Sequence, residues 1–248
     1  MTQETEQQTS SFTLLDGRIT LRQPTQGFRV AIDTVFLAAA VSARLEDRIL
    51  DAGCGVGAAA LCLASRLPGC RIDGVEFQRN LAKLATENIT ANGMSERIRV
   101  VAGDIRRPPP TLAPLSYDHV MVNPPHLEMG AYSTSPNESK ALADAEKEAT
   151  LADWFAFAHQ MLRPKGEITL IHRADRVDDI LAGLHGKFGG IEVFPLWPHA
   201  GEAARRIVVR ARKGVRTPAT IHAGLVLHDK EGHFTPAADA ILRGAEGI

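Results

Sequence analysis

Arg-Ile-Leu-Asp-Ala-Gly-Cys-Gly-Val-Gly, residues 48–57, is a short apolar strand that runs into a glycine-rich turn, and residues 58–67 continue it as a helix. Gly53, Gly55 and Gly57 permit positive φ and a close backbone approach, while the first turn of the following helix offers unpaired N–H groups. A second strand, residues 71–75, ends in Glu76, about 20 residues past the turn, where a carboxylate can accept from both hydroxyls of a ribose. Further strand and helix units follow at residues 80–91 and 98–102. Strands alternating with helices predict an α/β fold, a doubly wound, mostly parallel sheet with helices on both faces. Residues 191–196 and 206–211 lack a helix between them, so the sheet is expected to close with an antiparallel hairpin.

Residues 118–126, Asp-His-Val-Met-Val-Asn-Pro-Pro-His, form a further apolar strand that stops at two prolines. Proline has no N–H for the ladder and pushes the preceding residue into an extended conformation, which holds Asn123 at the strand's end. The Asn123 amide oxygen and the Pro124 carbonyl are then two acceptors for one nitrogen that carries two hydrogens, as in the amino group of adenine or a glutamine amide. A bare strand-ending turn is the plainer reading of the same residues. Gly53 to Ala58 also fits the G-x-G-x-x-G/A dinucleotide fingerprint, which keeps NAD open. Asp51, two residues before Gly53, and Asp104, after the strand at 98–102, favour S-adenosylmethionine: the first suits the methionine ammonium, the second the adenine amino group. Either carboxylate also reads as a cap or loop residue.

The whole chain sets outer limits. Its 248 residues with 44% apolar content allow one large domain with additions. A net charge of −1, from 28 Lys and Arg against 29 Asp and Glu, gives no global field toward nucleic acid, so any RNA contact must be a local patch. No apolar run approaches the roughly 20 residues that span a bilayer, and the polar first eleven residues lack a basic targeting run. A cytoplasmic protein is expected, with a disordered tail at 1–11. Cys54, Cys62 and Cys70 match neither a zinc pair nor a disulfide framework and are expected to be reduced. The nine histidines show no metal-binding spacing, and no metal is expected.

Residues 12–45 read as an N-terminal cap: a hairpin around Asp16-Gly17, then a helix through residues 35–41, with Asp33 as its N-cap. Residues 46–216 form the main domain and 217–248 a C-terminal strand and helix extension, with Thr235-Pro236 opening the last helix. Residues 126–149 carry few large apolar side chains; they are read as a lid over the pocket or a solvated connection. Thr150 caps the next helix, and Arg163-Pro164-Lys165-Gly166 turns into the strand at 167–171. Residues 205–216 hold six basic side chains and no acidic one. Period two places Arg206, Arg210 and Arg212 on one face, a ladder suited to phosphates or a charged edge strand that resists aggregation. Arg106 and Arg107 lie on the pocket side after Asp104.

The motif order from 48 to 126 resembles class I S-adenosylmethionine-dependent methyltransferases, which implies a Rossmann-like seven-stranded sheet. Asn-Pro-Pro followed by an aromatic residue marks the amino methylases within that class, and here His126 takes the aromatic place. Residues 23–38, Gln-Pro-Thr-Gln-Gly-Phe-Arg-Val-Ala-Ile-Asp-Thr-Val-Phe-Leu-Ala, and 227–237, Leu-His-Asp-Lys-Glu-Gly-His-Phe-Thr-Pro-Ala, are similar to bacterial tRNA(Val) adenine-N6 methyltransferases. The resemblance implies a tRNA adenosine as acceptor, with Asn123, Pro124, Pro125 and His126 as the catalytic set. Asp51, Gly53, Cys54, Gly55, Gly57, Glu76, Phe77, Asp104, Ile105 and Asn123 form the cofactor-side set. Phe28, Arg29, Arg106, Arg206, Arg210 and Arg212 form the RNA-side set, with Phe28 and His126 holding an unstacked base. A glutamine methylase and an NAD-binding module without methyl transfer stay open, as do monomer and homodimer.

Overall fold

The computed structural model describes residues 8–125 and 149–248. The chain enters through an antiparallel hairpin, β1 (Thr9–Leu14) and β2 (Ile19–Pro24), paired from Leu14↔Ile19 to Thr9↔Pro24. The turn falls at the expected Asp16-Gly17, and Leu15, Asp16 and Gly17 all have positive φ. The strand reaches back to Thr9, inside the stretch read as a tail, because residues 9–11 find backbone partners on β2 that a local reading does not show. The predicted α1 (Ile32–Ala40) follows, with Ala31 at its cap; Asp33 sits in the first turn rather than capping.

The main sheet contains β3 (Arg48–Ala52), β4 (Arg71–Glu76), β5 (Ile98–Ala102), β6 (Tyr117–Val122), β7 (Leu162–Arg173), β8 (Phe188–Trp197) and β9 (Arg206–Lys213). Their order is β8-β9-β7-β6-β3-β4-β5, with β9 antiparallel to both its neighbours and the other pairs parallel. Two-residue strands β10 (Thr220–Ile221) and β11 (Leu225–Val226) add to the outer side of β8. The seven principal strands and the closing hairpin match the sequence reading. β9, however, lies between β7 and β8 and is not an edge. The Arg-Pro-Lys-Gly turn is absorbed into β7 as an irregularity, with Lys165 at φ 64 and a register shift opposite Tyr117 and His119.

The helices are α2 (Ala58–Arg66), α3 (Arg79–Ala91), α4 (Leu151–Met161), α5 (Val177–Leu184) and α6 (Pro236–Gly244). Thr150 forms a capping box with Asp153, and Thr235 accepts from Ala238 N–H with Pro236 in the first turn. Side chains alternate between two cores. Ile49, Met121 and Val208 join the cluster under α1 and α2, while Leu50, Val120, Val122 and Val209 join the cluster under α4 and α5. Burial on both faces explains why these strands read as continuous apolar runs.

The hairpin is docked by two asparagines. Asn88 accepts from Arg22 N–H at 2.9 Å and donates to its C=O at 2.9 Å, and Asn92 does the same for Thr20 at 3.0 and 2.7 Å. Four residues on a helix rise about 6 Å, close to two residues of a strand, so a side-chain amide ladder matches the edge of β2. This fixes the residue 25–31 strap across the C-terminal end of the sheet.

β3 sits at the point where the strand order reverses, with β4 on one side and β6 on the other. The crevice at the C-terminal ends of β3 and β6 is where such sheets bind ligands.

Candidate active site

A cleft of about 760 Å³ opens at that crevice. Its wall includes Gly53 after β3, Glu76 at the end of β4 with Phe77 beyond it, Asp104, Ile105 and Arg106 after β5, and Asn123, Pro124 and Pro125 after β6. Phe28, Arg29 and Asp33 from the strap and α1 complete it, together with Trp154 and Arg206. Most of the predicted residues therefore converge on one cavity. His126, and the lid reading apart from its last residue Ala149, lie outside the described residues. Cys54, Gly55 and Gly57 shape the turn behind the wall.

The glycine turn is bonded to the neighbouring strand: Gly53 and Cys54 N–H donate to Val75 C=O at 2.8 and 3.1 Å. Gly53 has φ 69, and a Cβ there would stand 2.6 Å from the Trp154 ring; Gly55 has φ 54, and its Cβ would meet the Phe28 ring. No other residue satisfies both the dihedral and the space. Phe28 thus lies over the glycine turn, as well as facing the cleft where a base was expected.

Glu76 binds the turn to the start of α3, accepting from Gly55 N–H at 2.9 Å with one oxygen and from Gln78 N–H at 2.8 Å with the other. Burial raises its pKa, opposed by those N–H groups. Each oxygen keeps a lone pair for a ribose hydroxyl. Asp104 is already clamped, since Arg106 donates from Nε at 3.1 and 3.2 Å and from Nη2 at 2.9 Å. That hydrogen bonding holds its carboxyl below the usual range.

Asp51 is 2% exposed and is not part of the cleft wall. Its Oδ2 has no hydrogen-bond partner among the described residues, and burial pushes its pKa to about 7, against the Ala60 N–H and with the nearby Glu76 charge. A buried carboxylate with an orphan oxygen beside the glycine turn suits a cationic group. Cys54, Cys62 and Cys70 are buried free thiols, and burial raises the pKa of Cys54 and Cys62.

Asn123 is half-buried between the buried Val122 and Pro124, and none of the hydrogen bonds among the described residues engages its amide. Two acceptors here, the amide oxygen and the Pro124 carbonyl, face an amino group better than a hydroxyl, which offers one hydrogen.

The arginine ladder divides. Arg206 lines the cleft and donates from Nε to Asp33 at 2.6 Å. Arg210 pairs with Glu192 at 2.5 Å and Arg212 with Glu167 at 3.4 Å, each directly across the sheet in the strand register, and neither reaches the wall. A period-two pattern gives the shared face but not the partners on the next strand. Arg29 reaches the wall with its guanidinium on Thr25 C=O at 2.6 Å.

Of the wall residues that sequence reasoning did not single out, among them Thr34, Gln78 and Leu81, Trp154 has the largest side chain. It is buried, its Nε1 donates to Ala149 C=O at 3.3 Å, and its ring edge rests on Gly53. A lone tryptophan on a helix looks like any core residue, so only the fold brings it to the cleft.

Residues 28–194 match the family described as methyltransferase small domain. A curated relative from Aeromonas hydrophila, tRNA1(Val) (adenine(37)-N6)-methyltransferase, is 30% identical over 84% of this chain and 85% of its own length. A relative of the same name from Tolumonas auensis is 34% identical over 62% of this chain and 63% of its own. A crystal structure described as a predicted O-methyltransferase from Agrobacterium tumefaciens superposes with a TM-score of 0.73 at 28% identity, covering 87% of this chain and 98% of that one.

Proposed function

The chain belongs to the methyltransferase small domain family and is an S-adenosylmethionine-dependent N-methyltransferase, and we propose that its acceptor is the N6 amino group of an adenosine in tRNA. The observation that carries this reading is the Asn123 amide, engaged by no hydrogen bond among the described residues, beside Pro124 in a cleft shared with Gly53, Glu76 and Asp104. The names of the Aeromonas and Tolumonas relatives support tRNA, and the adenosine 3′ of the anticodon, as the target. The enzyme would act in the cytoplasm, where unmodified tRNA is found. Among the described residues no helix is long and apolar enough to cross a membrane.

S-adenosylmethionine, when bound, supplies an activated methyl group. Glu76 would hold the ribose hydroxyls, Phe77 and Ile105 would flank the adenine with Asp104 at its amino edge, and Gly53 would admit the methionine end beside Asp51. Asn123 Oδ1 and the Pro124 carbonyl would accept from the two hydrogens of the target amino group and aim its nitrogen. Orientation of two bound reactants supplies roughly 7–11 kcal/mol, so no strong base is needed and the proton leaves to water. Arg29, Arg106 and Arg206 stand on the wall for neighbouring phosphates.

Methyl-labelled S-adenosylmethionine, unmodified total tRNA and cell protein, incubated together and read by nucleoside and peptide mass spectrometry, test this reading. N6-methyladenosine that disappears with Asn123→Ala is expected. Label in glutamine would move the acceptor to protein.

A further inference from the structure

The segment at residues 227–237 is not used by the cleft, yet it builds a column of rings at the same end of the sheet. β11 pairs in parallel with the end of β8, Val226 opposite Trp197, and carries the chain past the sheet's C-terminal edge. Leu227 N–H then donates to Trp197 C=O at 2.7 Å and His228 N–H to Pro198 C=O at 3.0 Å. A tight turn, closed by Asp229 Oδ1 accepting from the N–H groups of Glu231 and His233, brings Phe234 back under His228. The Phe234 and His228 rings stack at 4.8 Å and 27°, and His228 and His199 follow at 5.5 Å and 40°.

The column has a fixed inner end and an open outer one. Phe234 packs on the main core. Both imidazoles are oriented by carbonyls: His228 Nδ1 lies 3.2 Å from Pro198 C=O, and His199 Nδ1 lies 3.0 Å from Asp229 C=O. A carbonyl only accepts, so Nδ1 of each imidazole carries a proton and the ring plane is fixed by that bond. His199 is half-buried and, among the described residues, has a ring on one side only.

His199 sits in the loop between β8 and β9, the loop that leads into Arg206 on the cleft wall. From Asn123 at the end of β6 to the end of β8 the sheet spans three strand spacings, about 14 Å. That exceeds the reach of the target adenosine and fits a base two or more nucleotides away. The surroundings carry no excess of positive charge, with exposed Arg205 and Lys230 against exposed Glu202 and Glu231 and the partly exposed Asp229 carboxylate. The surface therefore offers ring faces rather than a phosphate field.

We propose that the Phe234–His228–His199 column is a docking platform for RNA, on which an unpaired base of the substrate loop stacks against His199. This rests on the tRNA reading above and names the second point at which the RNA is held. Base stacking on an aromatic ring is sequence-tolerant and, unlike phosphate contacts, does not depend on counterion release.

The experiment uses the full chain and an unmodified anticodon stem–loop RNA with an adenosine 3′ of the anticodon. KM for RNA, kcat, cofactor Kd, melting temperature and the slope of log affinity against log salt are measured for wild type, His199→Ala and His199→Trp. The expected result for His199→Ala is a KM raised about tenfold, with kcat, cofactor Kd, melting temperature and salt slope unchanged, and with KM restored by His199→Trp. An unchanged KM in a protein that methylates RNA would overturn the platform and leave the acceptor reading standing. So would a raised KM that comes with a lowered melting temperature and no rescue by tryptophan, since that marks a structural role. Methyl transfer to glutamine and to no RNA would remove both.

Discussion

In the half of the cleft formed by β3, β4 and β5, the polar groups on the wall are already engaged: Gly53 on Val75, Glu76 on Gly55 and Gln78, Asp104 on Arg106. In the half formed by the end of β6, the Asn123 amide takes part in no hydrogen bond among the described residues, and the Asn-Pro-Pro segment leads straight into residues beyond them. One half is organised before anything binds, and the other keeps its hydrogen-bonding capacity for the acceptor. Catalysis by alignment asks for this division, because a cofactor held in a preformed cradle costs little to orient while the acceptor's own amino group completes the second half.

The contrast can be broken hardest at the glycine turn. Gly53→Val forces a β-branched residue into φ 69 and drives its side chain into the Trp154 ring. Cofactor affinity should fall by about a hundredfold or more, from strain of roughly 1–3 kcal/mol plus ring displacement, as read by calorimetric titration. Affinity within a few-fold of wild type would mean that the turn is not the cradle.

Glu76→Gln should weaken cofactor binding by about tenfold, since a charged acceptor gives way to a neutral one at a buried position. RNA binding measured without cofactor should stay the same. Equal losses in both would blur the two halves into one.

A smaller effect concerns pH. The folded pKa of Asp51, about 7, lies above its ordinary value of 3.8. Between those values the folded state holds a proton that the unfolded chain has released, so this residue's contribution makes stability fall as pH rises from about 4 to 7, and then level off. Melting temperatures of wild type and Asp51→Asn between pH 5 and 8 should therefore converge toward low pH and separate toward high pH, with the wild type lower. A cationic cofactor group near Asp51 should make affinity rise over the same range in wild type alone.

Least affected are the arginines of β9. Arg206→Ala should lower the salt slope of RNA binding by about one unit, whereas Arg210→Ala, which removes a partner of Glu192, should change RNA affinity by less than about twofold. A drop in slope for Arg210→Ala would restore the whole ladder to the RNA interface.

The half of the cleft around the glycine turn could be read from the sequence because its signals are local. A strand, a glycine turn and a helix follow one another within 20 residues, residues 48–67, and Glu76 and Asp104 mark the ends of the next two strands. Asn123 was legible for the same reason, as prolines end a strand wherever it lies. What could not be read depends on which strands become neighbours. The pairing of Arg210 with Glu192 and Arg212 with Glu167, and the inner position of β9, follow from the insertion of β9 between β7 and β8. Trp154 reaches Gly53 only because α4 packs behind β6, and the Asn88 and Asn92 ladder exists only once β2 lies beside α3. Phe28 was expected on the RNA side; it lines the cleft, and its place over Gly55 depends on that same docking.

The account rests most directly on the separability of the two halves, which Asn123→Ala tests in one preparation. Cofactor Kd by titration and the single-turnover rate of methyl transfer to unmodified tRNA should diverge, with Kd within about threefold of wild type and the rate down about a hundredfold or more. Loss of cofactor binding in step with the rate, or a rate left intact, would contradict it.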